Sequence, residues 1–140
     1  MIRTTTLLFA VLFPFLAFGI TEPPVIQINP IVGSWSFTLP NAKCTETYHF
    51  FPNGTTKVTS GEEVSESVYE ISANPRISGY YKLVDTIVKN NGKKDCVGGV
   101  TAIGHKATSF VRFHPSGQML IICWEESLEK CFGPLKRINE

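Results

Sequence analysis

Three histidines, His49, His105 and His114, are the only side chains suited to general acid–base work near neutral pH. His49 and His114 adjoin apolar runs at the ends of strand-like segments, and His105 follows Gly104 in a turn-like stretch. None of them stands beside a nucleophile. The chain has no Gly-x-Ser-x-Gly turn, and its four cysteines, Cys44, Cys96, Cys123 and Cys131, read as oxidised. The carboxylate pairs Glu62-Glu63 and Glu125-Glu126 fall where turns are expected, and solvated charge is ordinary there. No Cys-x-x-Cys spacing occurs, which argues against zinc. These residues predict no catalytic site, no metal and no cofactor.

Binding chemistry is better represented. Cys44, Glu46, Tyr48 and Phe50 share one face of a segment with a period of two, and Tyr81, Leu83, Asp85 and Ile87 share one face of another. Where such faces line an interior, Glu46, Tyr48, Tyr81 and Asp85 set a few polar groups among apolar walls. That composition binds and orients a small hydrophobic molecule. A buried carboxylate needs a partner, and Arg112 is the candidate if its strand is phased inward. The alternative is an interior filled by side chains alone.

The elements that must position these residues are strands. Nine are predicted, at about 32–38, 44–51, 55–61, 64–72, 80–89, 95–104, 108–114, 118–124 and 131–138. Asn53-Gly54 predicts a type I′ hairpin, Ser116-Gly117 marks a similar tip, and Asn90-Asn91-Gly92 and the stretch 72–79 mark further turns. No segment sustains a helical period. Short strands in sequence, joined by tight turns, predict an all-β, up-and-down antiparallel barrel of eight or nine strands, since closure removes exposed edges.

The N-terminal 19 residues read as a signal peptide: Arg3, then an apolar run to Ile20, with Ala17 and Gly19 at the spacing of a cleavage site. The run is short for a membrane span. A Pro-rich extended arm is expected over 20–30 and the barrel over 31–140. Losing Arg3 with the leader brings the 13 basic residues level with the 12 acidic ones. A neutral domain is a poor partner for nucleic acid or an anionic membrane. Four cysteines after a signal peptide predict two disulfides in a secreted or periplasmic protein.

Gly33-x-Trp35 in the first strand of such a meander resembles the signature of lipocalins and the wider calycin superfamily. The resemblance implies that Trp35 plugs the closed base of the barrel and that a basic residue of the last strand, Arg137 with Lys136 as second choice, covers it. Burying an indole removes about 150–250 Å² of surface from water, and a stacked guanidinium adds about 0.5–2 kcal/mol. Gly33 would let the chain turn tightly into the strand. A second motif around Thr-Asp-Tyr and a helix after the last strand are not recognisable. The chain is thus closer to small secreted lipocalin-like domains, and the resemblance implies a carrier of a small hydrophobic molecule. Calycins that bind proteins, such as secreted enzyme inhibitors, are the alternative, with the Pro-rich arm as the inserting element.

Strand counting predicts the disulfides. In a nine-strand meander, strands two and six begin at one end, with Cys44 and Cys96. Strand eight ends and strand nine begins at the other, with Cys123 and Cys131. A disulfide needs Cα atoms within about 7 Å, so the predicted pairs are Cys44–Cys96 and Cys123–Cys131.

Overall fold

The computed structural model describes residues 28–41 and 43–139. The expected leader and residues 20–27 of the expected arm lie outside them. The described chain forms eight strands: β1 (Gly33–Thr38), β2 (Thr45–Phe50), β3 (Thr55–Ser60), β4 (Glu63–Ile71), β5 (Tyr81–Asn90), β6 (Lys106–Phe113), β7 (Met119–Cys123) and β8 (Cys131–Ile138). Each pairs antiparallel with the next, and β8 returns to β1 to close the barrel.

The strand expected at 95–104 is a loop. Its Val-Gly-Gly-Val pattern imitates alternation, but local hydrogen bonds take the backbone out of any ladder. Asp95 Oδ1 accepts from the amides of Val97 and Gly99, at 2.9 and 2.7 Å. Gly98 and Gly104 have φ of +88° and +85°, conformations that glycine adopts without penalty. The Asn53-Gly54 turn also differs from expectation. No non-glycine residue has positive φ, so Asn53 cannot serve a type I′ turn. Pro52 fixes its own φ near −65°, and the Gly54 amide donates to Phe51 O at 3.2 Å, giving a type I turn finished by a left-handed glycine. His114-Pro115-Ser116-Gly117 repeats this geometry.

Losing one strand changes the ends of the barrel. β1 runs from the base to the mouth, so the odd strands end at the mouth and the even strands begin there. Cys44 precedes β2, Cys96 follows β5, Cys123 ends β7 and Cys131 begins β8. All four cysteines therefore lie at the mouth, not at opposite ends. The bonds are Cys44–Cys96 and Cys123–Cys131. Cystines fit a chain that matures in an oxidising environment.

The base is packed solid. Trp35 is fully buried among Ile31, Val111, Leu120 and Leu135, and its Nε1 donates to Ile31 O at 2.8 Å. Arg137, opposite Trp35 in the β1–β8 ladder, lies with its Cζ 4.1 Å from the indole centre. The guanidinium also donates to three carbonyls: Gly117 at 3.1 Å, Val32 at 3.0 Å and Pro30 at 2.8 Å. Lys136, the second choice, is exposed on the outer face. Gly33 does more than admit the chain to the strand. A Cβ there would stand 2.5 Å from Arg137 Nη1, and its φ is +126°. Only glycine lets the guanidinium lie over the strand.

Candidate functional site

Register decides which side chains enter the lumen. Trp35 faces Tyr48 across β1–β2, and Tyr48 faces Val58 across β2–β3. The same phase carries Glu46 and Phe50 of β2 and Thr56 and Ser60 of β3 inward. On β5 and β6 it selects Tyr81, Leu83 and Asp85, opposite Val111, Ser109 and Ala107. A bulge between β7 and β8 lets Phe132 and Leu135 both point in, although they are an odd three positions apart.

β4 is a polar wall. On it Ser67 is 2% exposed and Val68 is 46% exposed. Glu63, Ser65, Ser67 and Tyr69 all face in and are buried. Glu63, expected in a solvated turn, accepts hydrogen bonds from Asn90 Nδ2 and the Thr101 amide, both at 2.6 Å, and from Thr101 Oγ1 at 3.3 Å. It anchors the long 91–105 loop to the mouth.

The other carboxylates differ in how well they are partnered. Glu46 is satisfied by hydroxyls: Tyr48 donates to Oε2 at 2.5 Å and Ser60 to Oε1 at 2.7 Å, while Ser60 Oγ accepts the Cys96 amide at 3.0 Å. Burial, then the bond to Glu46 and its charge, push the Tyr48 phenol far above its ordinary range, so it stays protonated as a donor. Asp85 has one donor, Ser67 Oγ, at 2.5 Å to Oδ1. Burial holds its carboxyl above the usual range, while the Ser67 bond and the charge of His105 act against that.

Arg112 does not reach either carboxylate. Val111 and Phe113 fill the inward positions of β6, so Arg112 points outward and its Cζ lies 5.6 Å from the Tyr80 ring centre. Tyr81 faces in, but near the base, edge-on to Phe113 at 5.4 Å between ring centres. It does not line the cavity described next.

Above the base the lumen holds a cavity of about 200 Å³. Tyr48, Phe50, Val58, Leu83, Ile122, Trp124 and Phe132 supply its apolar wall, and Thr56, Asp85, Thr108 and Ser109 its polar points. Its opening follows from a short strand. β7 pairs only with Phe110–Phe113, so Lys106–Ser109 rise past its end and leave a notch flanked by Trp124, which is 62% exposed. Thr56, 3% exposed, is buried in this wall with its Oγ1 unpartnered. Thr56, Ser67 and Trp124 were not among the expected site residues. The signal for the first two was a run of small hydroxylated residues on strands that otherwise alternate.

A second concavity, about 360 Å³, lies on the outer wall against His114, Pro115, Met119, Ile121, Leu128 and Pro134. The 124–130 loop folds back over it, held by Arg76–Glu126 at 3.0 Å and Ser78–Glu126 at 2.5 Å. No protein-family model, curated protein or solved structure matches the chain.

Proposed function

We propose that this is a secreted or periplasmic lipocalin-like protein that binds one small, largely apolar molecule in the upper lumen and performs no catalysis. The observation that carries this reading is the cavity itself. An apolar chamber with a few polar points, open beside an exposed tryptophan, has the composition of a ligand site. Its volume, about 200 Å³, lies below the roughly 300 Å³ at which drug-sized pockets begin. The ligand is therefore smaller than a retinoid or a long-chain fatty acid. A solid base and a hollow top also divide the labour in the way a carrier needs.

The test is methyl NMR of the purified protein titrated with indole. Binding should shift Leu83 and Ile122, which line the cavity, and leave Leu135 of the base unmoved. Ser109→Trp, which fills the chamber from β6, should abolish those shifts. Shifts confined to Ile121 and Leu128 would instead move the site to the outer groove. That outcome would favour the second reading, a protein-binding role, which the larger outer concavity supports.

A further inference from the structure

The chamber's charge is one-sided. The register turns three carboxylates, Glu46, Glu63 and Asp85, into the lumen, and the arginine at its base, Arg137, is held there by the indole and three carbonyls. Arg112 faces outward. Lys89 pairs with Glu66 on the outer surface at 2.8 Å. His105, exposed, is the basic group whose charge reaches Asp85.

Two of the three carboxylates are spoken for. Glu46 holds two hydroxyl donors and Glu63 holds Asn90 and Thr101. Asp85 Oδ2 accepts no hydrogen bond among the described residues, and the residue lines the chamber. Asp85 is half-buried and this oxygen is not closed off, so a donor or a cation entering the chamber can reach it. The wall behind it is polar. Thr56 Oγ1 is buried on the same wall with no partner. Thr56 opposes Ser67, and Ser67 donates to Asp85, so the three sit side by side. Tyr48, Phe50, Trp124 and Phe132 line the same space, and aromatic rings attract cations as well as apolar groups.

From this we infer that the lumen selects a small monoamine: a protonated amino group, paired with Asp85 Oδ2, on an aromatic or alkyl body held by the rings. Fatty acids and other anions are repelled by the same carboxylates. The inference rests on the ligand-binding reading above and goes further by naming the ligand class.

The experiment compares three probes of one shape, 2-phenylethylamine, 2-phenylethanol and phenylacetate, by isothermal titration at pH 7, with indole as a neutral control. The amine should bind roughly ten- to a hundredfold more tightly than the alcohol, the range expected for a hydrogen bond to a charged group, and phenylacetate should not bind. Asp85→Asn should remove the amine's advantage and leave the alcohol unchanged. Equal binding of amine and alcohol, or an advantage that survives Asp85→Asn, overturns the amine assignment while the carrier reading stands. If none of the four probes binds, both fall.

Discussion

Arg137 and Asp85 are the instructive pair. Both are charged groups turned toward the inside of one barrel, at different heights. At the base, three carbonyls take three of the five N–H donors of Arg137 and an indole covers its face. In the chamber, Asp85 is held by one serine, and its second oxygen accepts no hydrogen bond among the described residues. The fold ties one charge down on several sides and the other on one. A charge with many partners locks elements together, because removing a partner strands it. A charge with one partner has room for another.

The comparison predicts unequal consequences. Trp35→Ala should be the most damaging change, lowering stability by about 5 kcal/mol from the lost indole and the loss of its stack with Arg137. Urea denaturation measures it, and a loss below about 2 kcal/mol would mean that the base is not the keystone. Next come the covalent ties of the mouth. Replacing Cys44 and Cys96 by serine opens a loop of 52 residues and should cost about 4 kcal/mol in the chain-entropy model. The same change at Cys123 and Cys131, 8 residues apart, should cost about 2.5 kcal/mol. Equal losses for the two pairs would point away from loop entropy as the cause.

The smallest expected effect is the most diagnostic, and it has the opposite sign. An unfolded aspartate ionises near pH 3.9, whereas burial holds the Asp85 proton to higher pH in the barrel. Between those two values the native state binds the extra proton. Asp85 therefore contributes its full stability below about pH 4, and that contribution is lost as pH rises through the folded value. Asp85→Asn escapes the loss. Its urea midpoint relative to wild type should rise between pH 3.5 and pH 7 in the absence of ligand. A midpoint difference that is flat with pH would show that Asp85 is already well served, and the contrast with Arg137 would collapse.

Much of this was legible in the chain, and the failures are physical. Period-two alternation and tight turns implied a meander, and the phase of β2 and β5 followed from Tyr48, Phe50, Leu83 and Ile87. The loop at 95–104 was misread because valines spaced by glycines alternate in apolarity, whereas the asparagine-like turn at Asp95 and the positive φ of Gly98 and Gly104 depend on backbone geometry. Arg112 was placed on the wrong face because a shift of one residue inverts a strand, and β6 carries large apolar groups on one face and a charge on the other only once its register is known. The serine face of β4 went unread: hydrophobicity is the usual sign of burial, and in this wall the hydroxyls are inside. A strand that buries its polar face is easiest to understand where the interior must do more than pack.

The position of the cystines has a redox consequence. No cysteine lies at the base, so its closure by Trp35, Gly33 and Arg137 waits for no oxidant. Both cystines lie at the mouth, one tying the 91–105 loop to the start of β2 and the other bridging β7 to β8 beside the notch. The plug therefore needs no particular redox compartment, and only the covalent ties of the opening depend on where the chain finds itself.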